Sequence, residues 1–201
     1  KLFHPIYPAV FFSPFSFLSD FFKDAKIYLL QKNIDNRIFI STSIGAFLYN
    51  QQKNLVTKFP FTDAPNNHVI SFFHDSYSQN YILGTINKGA YFYYKNLNFK
   101  NIVNIKEGLS SNSVCGIESN KNCIIFATYY GMTIFDRKTK KTNNIYKING
   151  FTDNEFNGRS VYKENDSIFY FGGINGLNKI NVNKITFEDE NFYLKLNYLK
   201  Y

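Results

Sequence analysis

Tryptophan is absent from the 201 residues, methionine occurs once and arginine three times. Cysteine occurs twice, at Cys115 and Cys123. Two are too few for a disulfide-stapled scaffold and too sparse for a structural metal site. No apolar run approaches the ~18 residues that a membrane helix needs. No segment keeps a 3.6-residue apolar period, which excludes helical solenoids and bundles. Phenylalanine (23) and tyrosine (16) are abundant instead, and both favour strands. With 44% hydrophobic residues the chain can fill a core, so wholesale disorder is excluded. The length suits one domain, or one and part of another.

The net charge of +8 comes from 20 lysines, which stand beside 27 asparagines. Lys, Asn, Ile, Phe and Tyr share AT-rich codons, so the charge follows from composition. The lysines are spread along the whole chain, and arginine, the better phosphate fork, is nearly missing. That pattern reads as solvated strand faces and loops, with no nucleic-acid path through this segment. The two cysteines flank a tight turn. With the turn at Ser119-Asn120-Lys121-Asn122, Cys123 faces Glu118, and a disulfide with Cys115 needs another register.

Four segments repeat: RIFISTSIGAFLYN (37–50), NYILGTINKGAYFYY (80–94), CIIFATYYGMTIFD (123–136) and IFYFGGINGLNKIN (168–181). Gly45, Gly89, Gly131 and Gly176 are 44, 42 and 45 residues apart. Thr42, Thr85 and Thr128 keep a spacing of 43, with Gly173 following after 45. Each segment opens on three apolar residues, the mark of a strand buried on both faces. A tiny residue follows (Ser41, Gly84, Ala127, Gly172), which implies a close approach. A glycine-ended turn and a second strand come next. A strand precedes each pair, at 26–32, 68–74, 113–119 and 159–165. A weaker one follows at 54–59, 99–103 and 143–148. Four short strands per ~43 residues match a β-propeller blade. The expected fold is therefore all-β, a partial propeller of about four blades spanning 25–59, 68–103, 113–148 and 157–185. An ordinary β-sandwich would not repeat four columns four times.

With these residues in view, the chain resembles the two-component regulator propeller family. GLSSNSVCGIESNKNCIIFATYYGMTIFDRKTKKTNNI (108–145) is similar to that family's repeat. Asp136-Arg137-Lys138-Thr139 lacks the family's proline, and Phe39, Ile82, Ile125 and Tyr170 stand where it usually has tryptophan. NGFTDNEFNGRSVYKENDSIFYFGGINGLNKINVNKI (149–185) resembles the last blade of such sensors. NFYLKLNYLKY (191–201) resembles the first strand of the immunoglobulin-like triple-tyrosine domain that follows it, with 186–201 as linker and domain start. The resemblance implies a periplasmic or extracellular part of a membrane-anchored bacterial signalling protein. It also implies an oligosaccharide or similar small polar ligand, and as partners the rest of the propeller, the immunoglobulin-like domain and a second copy of the full protein.

The chain starts at Lys1, which reads as a fragment or processed product, and KLFHPI (1–6) reads as the outer strand of a preceding blade. FHPIYPAVFFSPFSFLSDFF (3–22) reads as a loop between blades whose aromatics tuck against the ring, rather than as a signal peptide, with an interaction surface as the third option. Catalytic signatures are missing. His68 and His74 are roughly 20 Å apart by strand rise, too far to share a metal. Gly172-Gly173-Ile174-Asn175-Gly176 lacks the lysine and helix of a phosphate loop. Glu188-Asp189-Glu190 lacks the spacing of a calcium loop. No cofactor, metal or catalytic residue is expected, and the reading is a non-catalytic ligand sensor. A scaffold propeller that binds another protein and a propeller lyase are the alternatives. The candidate ligand residues are Tyr129 and Tyr130, Asn175 in the equivalent turn of the next blade, and Arg159 at the start of its first strand.

Overall fold

The computed structural model describes residues 16–33, 35–61 and 68–185. Fifteen strands form four antiparallel sheets, each wound in chain order. Blade 1 holds β1 (Ile27–Lys32), β2 (Ile38–Thr42), β3 (Gly45–Asn50) and β4 (Leu55–Lys58). Blade 2 holds β5 (Val69–Asp75), β6 (Asn80–Thr85), β7 (Ala90–Tyr93) and β8 (Phe99–Val103). Blade 3 holds β9 (Val114–Ser119), β10 (Cys123–Thr128), β11 (Met132–Asp136) and β12 (Thr142–Ile145). Blade 4 has three strands, β13 (Phe156–Lys163), β14 (Ile168–Gly173) and β15 (Gly176–Asn181). The first strands stand side by side, β1 against β5, β5 against β9 and β9 against β13. They form the inner wall of a propeller arc.

The repeated columns have three separate physical roles. The four spaced glycines all have positive φ, from 83° to 138°, at the turn between second and third strands. A side-chain-bearing residue resists that region. The threonines tie the same turn. Their hydroxyls donate to the carbonyls of Gly45, Gly89 and Gly131 at 2.9, 2.8 and 2.7 Å, and accept from Ile44, Lys88 and Tyr130 amides. Of the tiny column, Ser41 and Gly84 lie on seams between blades, and Gly172 faces Ser160 of its own blade. Ser41 Oγ donates to the Val69 carbonyl of the next blade at 2.8 Å, and Ser71 Oγ to that of Val114 at 2.8 Å. At the third seam the Cys115 thiol bonds the Phe156 carbonyl at 3.3 Å.

Each seam is filled by the doubly apolar strands. Phe39 of blade 1 stacks on Phe72 of blade 2 with centroids 4.1 Å apart. Ile82 packs with Ile124 and Phe126, and Ile125 with Phe169 and Phe171. These burials supply the hydrophobic stabilisation that holds one sheet to the next. Ala127 is 1% exposed in the third cluster. Ala127→Leu should therefore destabilise the fold by about 1–3 kcal/mol through overpacking. Thermal unfolding of the complete protein checks this; an unchanged melting temperature would refute the seam assignment.

Three details differ from expectation. Residues Ser16–Phe21 form a short helix, α1, instead of a loop. Its aromatics do tuck against the ring: Phe21 and Phe22 meet the Phe47 ring edge-on at 5.6 and 5.3 Å. The turn after β9 is Asn120–Cys123, one residue later than Ser119–Asn122. The Asn120 side chain accepts from the Asn122 and Cys123 amides, so Glu118 pairs with Ile125 and not with Cys123. Both cysteines are free and buried, and burial pushes the Cys115 and Cys123 thiols up to about 12 and about 11. β13 begins at Phe156, three residues before the expected start. Residues 1–15, the loop segment 62–67, the Glu188-Asp189-Glu190 run and the 186–201 linker and domain start lie outside the described residues.

Candidate functional site

One end of the arc gathers the turns between second and third strands and the loops that enter each first strand. Two of these loops are built alike. Asn104 caps a 3₁₀ turn at Ile105–Glu107, closed by Gly108, and Lys147–Asn149 repeats it, closed by Gly150. Asn112 then bonds the Ile105 amide through its side chain and the Gly89 amide through its carbonyl, at 3.0 and 2.8 Å. Asn154 does the same for Lys147 and Gly131 at 2.6 and 2.7 Å. Each entry loop is thereby stapled to the turn of the preceding blade. A rigid scaffold presenting fixed loops is what a binding face requires.

Tyr129 and Tyr130 stand in the β10–β11 turn, 42% and 58% exposed. The Tyr130 ring leans on Tyr146 with centroids 5.7 Å apart. Asn175, in the β14–β15 turn, donates to Asp153 at 2.6 Å, and Lys147 reaches the same carboxylate at 3.2 Å. These bonds, that of Asn175 first, together with the Asn154 amide, hold the Asp153 carboxyl below its usual range. Arg159 is separate from this group. It lies inside β13, and its guanidinium donates to the Tyr28 carbonyl of blade 1 at 2.9 Å. The four candidates thus fall into two sets: a face cluster of Tyr129, Tyr130 and Asn175, and an arginine near the inner wall. No sequence column marks Tyr146, Lys147 or Asp153 as part of this face.

Among the described residues no three His, Cys, Asp or Glu side chains come together as a metal site would need. Nor, among them, is any helix long and apolar enough to cross a membrane.

The fold defines an open β-propeller arc with a loop-built face. Solved structures of the same fold include the extracellular domain assigned to the hybrid two-component system BT4673 of B. thetaiotaomicron. It is 18% identical, with a TM-score of 0.62 over 77% of this chain and 21% of that one. Virginiamycin B lyase from Staphylococcus aureus, in a catalytically inactive H270A form with quinupristin, is 13% identical, with a TM-score of 0.61 over 79% and 53%. YCF48 bound to D1 peptide is 7% identical, with a TM-score of 0.60 over 77% and 50%. The chain therefore spans about a fifth of the first domain and about half of the other two. No protein-family model and no curated relative matches the chain. These likenesses show the fold, a β-propeller.

Proposed function

We propose that this chain is part of the extracytoplasmic ligand-sensing propeller of a membrane-anchored bacterial signalling protein of the two-component regulator propeller family. The observation that carries the reading is the stapled face of blades 3 and 4. Exposed aromatic rings (Tyr129, Tyr130) there stand beside a fixed amide and a fixed ion pair (Asn175, Asp153–Lys147). Rings stack on the apolar faces of sugars, and amides and carboxylates take their hydroxyls. The ligand is accordingly a polar oligosaccharide, bound without catalysis and read by the remaining propeller, the immunoglobulin-like domain and a second copy of the protein. The test is a glycan array on the complete protein, followed by calorimetry. Tyr130→Ala should weaken the identified glycan about tenfold, since a stacking ring contributes on the order of 1 kcal/mol and orders its neighbours. Unchanged affinity removes the face cluster from the site.

The scaffold reading has one observation in its favour. Ile148, at the centre of a stapled 3₁₀ turn, is 93% exposed on the same face, and Ile105 in the equivalent turn is 55% exposed. Such apolar tips suit a protein partner. Ile148→Asp abolishing capture of a partner protein, with glycan binding intact, would favour that reading.

A further inference from the structure

β13 departs from the other three first strands. In β1, β5 and β9 a single residue (Tyr28, Ile70, Cys115) stands out of register against the second strand. In β13 four residues, 157–160, lie between the Phe156–Gly173 and Val161–Phe171 pairs, opposite Gly172 alone. All four are exposed. The enlarged bulge holds Arg159 at φ 63°, in the left-handed region that a side-chain-bearing residue avoids. Bulges re-aim side chains beside functional sites, and strain that persists there has a local reason. Gly158 beside it has open space around it, so packing does not impose this shape.

The bulge turns Arg159 toward the axis of the arc. A cavity of about 350 Å³ opens there between the inner strands, lined by Leu29, Gln31, Phe73, Cys115, Glu118 and Arg159 among others. That is near the lower end of small-ligand pockets, roughly 300–1,000 Å³. One bond to Tyr28 leaves most of the five guanidinium donors for a ligand. Glu118, on the neighbouring strand β9, shares the lining. Its carboxyl is pushed above the usual range by burial, against the Ser119 amide and the Lys163 charge. The Lys163 ammonium is itself engaged by Asp166 at 2.7 Å and the Ser119 carbonyl at 2.9 Å.

We propose that this axial cavity binds the carboxylate-bearing end unit of an acidic saccharide. The carboxylate sits on the Arg159 fork and a ring hydroxyl donates to Glu118. The planar fork matches a carboxylate bidentately, which selects an acid over a neutral sugar. A cavity of this size takes one ring, and Leu30 and Phe73 offer apolar walls to it. The inference rests on the sensor reading but moves recognition of the acid away from Tyr129, Tyr130 and Asn175 to the inner wall.

The test is calorimetry on the complete protein with galacturonic acid, galactose and succinate. Galacturonic acid should bind, galactose at least about tenfold more weakly, and succinate no better than galactose, as one charge-assisted bond pair implies. Arg159→Met should weaken galacturonic acid at least about tenfold and Arg159→Lys less, because lysine keeps the charge but loses the fork. Glu118→Gln should weaken it several-fold. Circular dichroism checks that each variant keeps its strands. No galacturonic acid binding up to about 10 mM, too weak for a built site, overturns the proposal. So does binding that Arg159→Met does not alter, or succinate binding as tightly as the sugar acid. A neutral glycan still bound through Tyr130 in any of those cases leaves the sensor reading standing. Loss of both removes it.

Discussion

Replacing Asp75 by alanine should lower folding stability by about 3–5 kcal/mol, the cost of breaking a buried ion pair from one side. Asp75 ends β5 with a side chain that is 0% exposed. It accepts both arms of the Arg137 guanidinium at 2.8 and 2.7 Å, the Ser119 hydroxyl at 2.9 Å, and the Ser78 hydroxyl. Arg137 follows β11 and Ser119 ends β9, so one carboxylate ties blade 2 to two strands of blade 3. Without it a guanidinium only 17% exposed keeps the Asn120 carbonyl at 2.9 Å and loses its counter-ion. Denaturant unfolding of the complete protein measures the loss, and Arg137→Lys should cost less because charge remains. A change below about 1 kcal/mol, the level of an exposed pair, would show that the lock is ornamental.

The same residue sets an acid limb of stability. Burial works to raise the Asp75 carboxyl, but the bonds from Arg137, Ser78 and Ser119 outweigh it and hold it below 3.8. A carboxyl lowered in the folded state adds stability above its unfolded value and loses it as pH falls through its folded one. The wild type should therefore lose stability steeply below about pH 4, and Asp75→Asn should flatten that limb.

Gly84→Ala should be nearly as severe, at about 3 kcal/mol or more, the upper end of overpacking. An added Cβ would lie 2.1 Å from Ser71 Oγ, 2.4 Å from the Val114 carbonyl oxygen and 2.9 Å from Val114 Cγ1. The nearest atoms are those of the seam hydrogen bond between blades 2 and 3, so the methyl displaces that bond as well. A backbone carbonyl in the next blade cannot move aside alone. Gly158→Ala, where nothing lies within 4 Å, is the matched control and should be close to neutral. Equal melting temperatures for the two variants would contradict the seam geometry.

The repeat and the all-β propeller fold were legible in the amino-acid sequence. Each rests on local chemistry that recurs at a fixed spacing. A turn that needs positive φ selects glycine, the threonine three or four residues earlier ties it, and a strand between two sheets is apolar on both faces. The tertiary structure decided what depends on distant partners. Asp75 and Arg137 are 62 residues apart, and only the stacking of blade 2 on blade 3 joins them. The register at Cys123 hinged on the Asn120 side chain taking two amides in a run of polar residues that permits several turns. α1 has too few residues to show a period, and packing against Phe47 gives its aromatics a place. Arg159 sat in a segment, Phe156 to Val161, that reads locally as turn followed by strand. Its place at the inner wall comes from an oversized bulge, and a bulge is defined by the partner strand, which no local pattern contains.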